Sequence, residues 1–584
     1  MIKKLVRQML TAQILSALTV SLCLLIDNIM IGRFLGEPAL SAYGLSSPVL
    51  MVIGAVGSML CAGAQVVCGK SLGRGDQRET NAGYSSAVAV AAVFSAVFVL
   101  AVVIFRVPLA RLMGANEPEL LKDTSTYMAG FIIGAPASMG ALILVPFLQM
   151  AGQSNLLIAA VLGMTVADIG LDLLNVLVFH GGMFGMGLAS SLSYYVAMLI
   201  GGGYFLSKKC VFRFSRKLVS RKKIRELVAG GVPTVFGMAS SVVLIFAINK
   251  LLMPLGGKAA VAAYAVINTL INACNCISTG TGGVALTLSG ILYNEEDRSG
   301  LKELTTLMLR DAAALGVIVA ALLLIFAQPC VALFRPDASQ SQTLAIQGLR
   351  MFAVGLIPCC INNALKNCWQ GTGRTRLMEI ISVLENALLP LLSAFVLSRF
   401  LGIPGVWCLF AVGELLNSLV MLGIIWRHKG GVTLDPEDML MLDDRMGVRR
   451  EDGLEAIIQS VDDVMDFSRR ADEFCRAHGG TRKLSTHLAL CVEEMGGNIV
   501  THGFTKSEQE NHLFIRLQTK GGFWTLRFRD DCTAFDPMSH MAAISNDPGE
   551  KVGIRLAMRV ADEARYTYSM NLNNLTLILR DERR

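Results

Sequence analysis

Twelve apolar stretches, each long enough to cross a bilayer, recur between residues 9 and 426 of this chain. They run over 9–33, 45–69, 84–108, 124–149, 155–178, 186–207, 228–254, 259–292, 307–333, 345–369, 376–400 and 404–426. A hydrocarbon core needs about 20 apolar residues to be spanned as a helix. It offers no water, so the backbone must bond to itself. The pattern predicts an all-α polytopic membrane protein with 12 membrane helices, and 53% hydrophobic residues exclude an ordinary soluble enzyme.

The apolar runs stop near residue 430, and the charge changes sign there. Residues 1–430 carry 32 Lys and Arg against 19 Asp and Glu; residues 431–584 carry 20 against 26. A basic membrane part is thus followed by an acidic soluble one. The expected organisation is an N-lobe over 1–215, a C-lobe over 216–430, a linker over 431–450 and a separate domain over 451–584. The basic excess does not mark nucleic acid as a partner, because its densest block, Lys208 to Arg225, lies between membrane segments. With the N-terminus inside, that block is cytoplasmic, as are Lys3, Lys4, Arg7, Lys70, Arg74, Arg78, Arg374 and Arg376, which is the arrangement the positive-inside rule favours. Both termini are then expected in the cytoplasm of a cell (inner) membrane protein. The basic opening "MIKKLVRQML" reads as the start of an uncleaved first span rather than a signal peptide. Fourteen scattered cysteines with no Cys-x-x-Cys pair read as small apolar filler.

Three acids interrupt the apolar half: Asp27, Asp168 and Asp172. A carboxylate at bilayer depth costs about 2.5–3.5 kcal/mol on insertion scales, so such groups face protein or a water-filled cavity and mark ion pathways. Asp168, Asp172 and Asn175 are spaced i, i+4, i+7 and share one helix face. Two carboxylates one turn apart repel, which favours a proton or a hard cation such as Na⁺ between them; a structural hydrogen-bond network is the alternative. Glu385 is a further deep acid, suited either to a cationic substrate or to an interhelical contact.

A faint repeat supports two lobes. At a constant offset of 221, "GEPALSAYG" (36–44) faces "GKAAVAAYA" (257–265), Gly69 matches Gly290, and Asp76 matches Asp297. Asp27 matches Ile248, so the acid chemistry is confined to the first lobe.

The run "DNIMIGRFLGEPALSAYGLSSPV" (27–49), with "GKSLGRGD" (69–76), "GVP" (231–233) and "QGTGR" (370–374), resembles the multidrug and toxic compound extrusion (MATE) family over roughly residues 1–427. The resemblance implies two six-helix lobes and a cation-coupled antiporter exporting small organic, often cationic, compounds. In the branch with an N-lobe cation site, the positions matching its site residues are Asp27, Asp168, Asp172 and Ser190. Asp168 stands where that branch commonly has Asn, so H⁺ and Na⁺ both remain open as coupling ion. The branch that uses acids on spans seven and ten is disfavoured, because span ten offers Asn362, Asn363 and Lys366.

From about residue 452 the pattern turns α/β. A strand and helix are expected in "DGLEAIIQSVDDVMDFSRRADEFCRAHG", a longer helix in "TRKLSTHLALCVEEMGGNIVTHGF", a hairpin around Gly521-Gly522, then a helix and strands. The order resembles the GHKL ATP-binding sandwich, in its anti-sigma-factor serine kinase branch. The resemblance implies Glu494 as general base, Asn498 as Mg²⁺ ligand, Asp530 as reader of the adenine amine, and Gly549 and Gly553 in the lid. Cys532 and Ala534 replace glycines usual there. The absence of a Gly-x-x-x-x-Gly-Lys-Ser/Thr loop argues against a P-loop ATPase.

The leading expectation is therefore a cation-coupled exporter regulated by its cytosolic domain, which takes ATP and Mg²⁺ or a regulatory protein. The alternatives are a membrane-tethered serine/threonine kinase with a sensor in the membrane, and a lipid-linked precursor flippase. Few basic residues lie mid-span to hold a pyrophosphate, which disfavours the flippase.

Overall fold

The computed structural model describes residues 2–115, 117–207, 210–332, 339–431, 435–443, 446–448, 450–504, 511–538 and 552–581. Ten helices among these are long and apolar enough to cross a membrane, and an eleventh crossing results if the bent pair Pro118–Ile132 and Ala135–Met150 forms one span. The helix Ile2–Met30 holds the expected first span. Span two is Ser41–Gly73, span three Gln77–Leu112, and the bent pair is span four. Spans five and six are Ser154–Phe179 and Gly182–Leu206; spans seven and eight are Arg221–Gly257 and Ala259–Asn294. Arg298–Ala332, Ser341–Gly371, Thr375–Leu401 and Ile403–Lys429 complete the set as nine to twelve.

Local sequence explains the breaks. The 50° bend in span four falls between Ile132 and Ala135, where Pro136 opens the second helix and has no N–H to continue the first. Spans seven and eight are separated at Gly257, whose φ of 62° and ψ of −152° suit a residue without Cβ. Residues on one stripe of span three, Val93, Val97, Leu100 and Ile104, are exposed, as a lipid-facing stripe requires.

Each half has its own apolar core. One runs from Met30 to Leu227 and includes Tyr43, Tyr84, Tyr127 and Phe147. The other runs from Ile248 to Leu409 and includes Tyr264, Phe352 and Trp407. The halves meet along spans two, seven and eight, where glycines let backbones approach closely. At Gly63 a Cβ would strike the Leu227 carbonyl, and at Gly231 the Met59 carbonyl. Gln65 Nε2 donates to Thr287 Oγ1 across this seam at 3.0 Å.

The tail is a five-stranded antiparallel sheet in the order β1-β2-β3-β5-β4. Its strands are β1 (Gly453–Ile458), β2 (Leu513–Lys520), β3 (Phe523–Asp530), β4 (Glu563–Ser569) and β5 (Leu572–Arg580). Gly521 and Gly522 both take positive φ, the geometry of a two-residue hairpin turn between β2 and β3. The helices Val461–Ala477, Arg482–Asn498 and Val552–Val560 cover one face. They pack on Leu513, Ile515, Leu517, Leu526, Phe528, Leu575 and Leu577. The expected strand and helix order is present. All cysteines are free.

Candidate functional site

Spans one and five bring the three acids together in the first lobe. Asp27, Asp168 and Asp172 are 5%, 3% and 0% exposed. Asp27 lies within hydrogen-bond reach of both others, although the chain separates them by about 140 residues. Ser193 and Cys23 adjoin Asp168; the Ser193 hydroxyl donates to the Ser190 carbonyl at 2.8 Å and Cys23 Sγ to Thr165 Oγ1 at 3.8 Å. Tyr43, Tyr127 and Tyr194 wall the cluster, with Tyr43 and Tyr127 packed edge to face at 5.3 Å. Among the described residues, Oδ1 of Asp27 and both carboxylate oxygens of Asp172 are buried without a hydrogen-bond donor. Buried unsatisfied oxygens are costly, and three carboxyls in contact need a shared proton or a cation to coexist. The residues present fit either.

Both acid-bearing helices end in a single π-turn, Ile31–Leu35 after span one's helix and Asn175–Phe179 within span five. Such turns concentrate at functional sites. The second begins at Asn175, which sequence spacing sets on the acid face and which is buried like both acids. Its Oδ1 accepts from Gly181 N at 3.1 Å and its Nδ2 donates to Gly182 O at 3.2 Å, which ties the span five–six loop. Ser190 is buried, with its hydroxyl on the Met186 carbonyl at 3.3 Å. Ser193 is the span-six serine that lies beside Asp168. Sequence reading passed over Ser193, though it lies one helical turn from Ser190.

The second lobe has Ile248, fully buried, where the first has Asp27. It carries a different polar cluster: Lys366 Nζ donates to Glu385 Oε2 at 2.7 Å, and Asn362 Nδ2 to Glu414 Oε2 at 3.0 Å. A cavity of about 290 Å³ adjoins it, lined in part by Tyr264, Asn268, Asn272 and Asn275.

In the tail, Glu494 and Asn498 sit one turn apart on Arg482–Asn498, and Asn498 Nδ2 donates back to the Glu494 carbonyl at 2.6 Å. Gly553 lies against Glu494, where a Cβ would overlap the carboxylate. Gly549 lies outside the described residues. Asp530 ends β3 and is 4% exposed; burial pushes its carboxyl above the usual range. Its Oδ1 accepts from Asn573 Nδ2 at 2.7 Å and from Cys532 N at 3.1 Å. The fit to ATP and Mg²⁺ is thus partial. Glu494 and Asn498 offer a base and a metal-binding oxygen, while an adenine amine competes with Asn573 for Asp530.

Comparison with known proteins agrees with both parts. The MatE family model matches residues 12–174 and 233–396, two copies whose starts are 221 residues apart, the offset of the internal repeat. The chain belongs to the MatE family. A second model, the histidine kinase-like ATPase domain, matches residues 459–579. This MatE chain is 22% identical over 427 residues to the probable multidrug resistance protein YoeA of Bacillus subtilis (strain 168), covering 69% of the chain and 90% of that protein. Its fold is similar to that of a MATE crystallised with MaL6, with TM-score 0.67 and 20% identity. It is equally similar, again at TM-score 0.67 and 20% identity, to a MOP superfamily transporter of Pyrococcus furiosus described by a reversed polarity of its binding pocket. Both alignments cover 73% of this chain and 95% of the other. The similarity places it among multi-pass membrane proteins of the MATE fold with an added GHKL-like domain.

Proposed function

We propose that this chain is an antiporter that exports small organic, often cationic, compounds in exchange for H⁺ or Na⁺, under the control of its tail. The observation that carries the reading is the contact of Asp27 with Asp168 and Asp172; Asp27 Oδ1 and both Asp172 oxygens are buried with no hydrogen-bond donor among the described residues. A cation entering from outside neutralises this cluster and draws spans one and five together. The π-turns that end both helices supply places for re-winding. Release of the cation to the inside restores repulsion and separates them. One monovalent cation moving inward supplies about 2.3 kcal/mol per 100 mV, enough with its own gradient to drive export without ATP hydrolysis. The basic loops support a topology with both termini, and the tail, on the cytoplasmic side of the cell (inner) membrane.

The test is gradient-driven efflux from vesicles. Asp27→Asn with Asp172→Asn abolishes it on this reading; efflux intact in that variant rejects the reading.

For the tail we propose nucleotide-dependent regulation, supported by Glu494 and Asn498 sharing a helix face beside Gly553. Mg²⁺-ATP would supply a transferable phosphate here; Asn498 would hold the metal through its side-chain oxygen, and Glu494 would serve as proton acceptor. A tethered serine/threonine kinase rests on the same pair of residues. Radiolabelled ATP with candidate partner proteins separates the two: phosphotransfer that Glu494→Ala removes favours the kinase, whereas binding without transfer favours regulation.

A further inference from the structure

Period-two alternation gives the tail sheet a second face, away from its helices, and that face is charged. It presents Arg516 from β2 and Arg527 and Arg529 from β3. Three guanidinium groups on one sheet face repel one another unless acids meet them. The loop between spans eight and nine supplies those acids. Arg516 Nη1 pairs with Asp297 Oδ1 at 2.6 Å, Arg529 pairs with Glu295, and Arg527 Nη1 donates to the Glu295 carbonyl at 3.2 Å. Lys520 Nζ pairs with Glu296 at 2.6 Å. Arg516, Arg529, Glu295 and Asp297 are all buried by this contact.

The linker ties the tail to the same lobe. Arg298 pairs with Glu437, Lys302 pairs with Asp435, and Trp369 Nε1 donates to the Met439 carbonyl at 2.8 Å. The tail is therefore mounted on the second lobe.

From that mount the β4–β5 hairpin reaches the first lobe. Its turn, Met570-Asn571, has φ of 56° and 59°. Met570 N donates to the Met150 carbonyl at 2.7 Å, and Asn571 Nδ2 to the Gly152 carbonyl at 2.8 Å. Arg565 Nη1 donates to the Arg74 carbonyl at 3.2 Å. The fit at Gly152 is close, because a Cβ there would overlap the Asn571 backbone. Gly152 lies two residues before span five, the helix that carries Asp168 and Asp172.

We propose that the tail is a clasp across the two lobes: its arginine face clamps the loop of the second, and its Met570-Asn571 turn latches the loop that starts span five of the first. The clasp holds the tail-side ends of the lobes together. For those ends to part and admit substrate, the turn must leave Gly152 or the arginine face must leave Glu295 and Asp297. The proposal rests on the regulatory reading above and gives it a mechanism, autoinhibition by a bridge between lobes.

The test uses the full chain in nanodiscs, with spin labels carried by non-natural amino acids at exposed Arg78 and Glu303, on the tail-side ends of the two lobes. Asn571→Gly keeps the positive-φ turn and removes one latch bond; Arg516→Glu with Arg529→Glu reverses the clamp. Each is expected to raise the population of the longer inter-label distance, by about fivefold for Asn571→Gly, the worth of one hydrogen bond. An unchanged distance distribution in both variants, with proteolysis showing the clamp variant's tail detached, overturns the clasp. Parallel efflux assays separate the two claims. Altered efflux at unchanged distance rejects the clasp and keeps regulation by the tail. Longer distance at unchanged efflux supports the clasp and rejects its regulatory role.

Discussion

Gly69 and Gly290, equivalent positions of the 221-residue repeat, meet at the seam between lobes, where a Cβ on Gly69 would lie 3.7 Å from the Gly290 carbonyl carbon. Two repeats that pack face to face near their pseudo-twofold axis bring equivalent residues together, and small ones allow the closest approach. One turn further along span two, Gly73 is tighter still: a Cβ there would press on the Ile291 carbonyl and on Asn294.

Gly73→Leu is therefore expected to pry the tail-side ends of the lobes apart. Overpacking of this kind costs about 1–3 kcal/mol. Distances between labels on the two lobes should lengthen, and thermal stability in detergent should fall. A fully stable variant with unchanged distances contradicts the seam as described.

The serines of span six divide the first-lobe site. Both hydroxyls donate to backbone carbonyls, Ser193 to Ser190 at 2.8 Å and Ser190 to Met186 at 3.3 Å, and it is Ser193 that lies beside Asp168. Ser193→Ala is expected to change the cation dependence of efflux several-fold, Ser190→Ala little. The check is half-maximal activation by pH and by Na⁺ in each variant. Equal effects of the two substitutions count against the geometry.

The buried Lys366–Glu385 pair of the second lobe has both partners about 5–8% exposed. Removing one partner of such a pair strands the other charge and costs about 3–5 kcal/mol. Lys366→Met alone should lower the melting temperature strongly, and Lys366→Met with Glu385→Gln should recover most of the loss. Additive losses in the double variant contradict the pairing.

The clamp has a defined pH response. Burial opposes ionisation of Asp297, but Arg516 and Arg529 outweigh it and hold the carboxyl below the usual carboxylate range. A carboxyl held lower when docked than when free, where it titrates near pH about 3.9, adds stability above that pH. The contribution is lost as pH falls through the docked value. Energy transfer between dyes on the tail and the second lobe should stay constant from neutral pH down to about pH 4 and fall below it. Detachment between pH 8 and 6 contradicts this linkage.

Much of this architecture was legible in the sequence. Twelve apolar runs report membrane helices because bilayer thickness fixes their length, and constant register reveals two lobes. Asp27, Asp168 and Asp172 were expected together because each is costly alone at that depth, and spans one and five do bring them into contact. Asn175 is buried like the acids three and seven residues before it, as 3.6-residue spacing expects, and the π-turn begins at that residue. The Lys366–Glu385 pair is set by how spans ten and eleven pack, which single-helix periodicity does not encode. The clamp left a readable trace in Arg516, Arg527 and Arg529, which alternate with core residues along two strands. Its partner loop, Glu295 to Asp297, lies over 200 residues away and becomes a partner only through tertiary packing.

The most direct measurement of the central claim is ion movement in proteoliposomes when substrate is added to one side with no imposed gradient. The account predicts that wild-type chain carries H⁺ or ²²Na⁺ toward the substrate-loaded side in step with substrate leaving it, and that Asp27→Asn with Asp172→Asn carries neither. Substrate movement unaccompanied by either cation, or ion exchange that persists in the double variant, contradicts it.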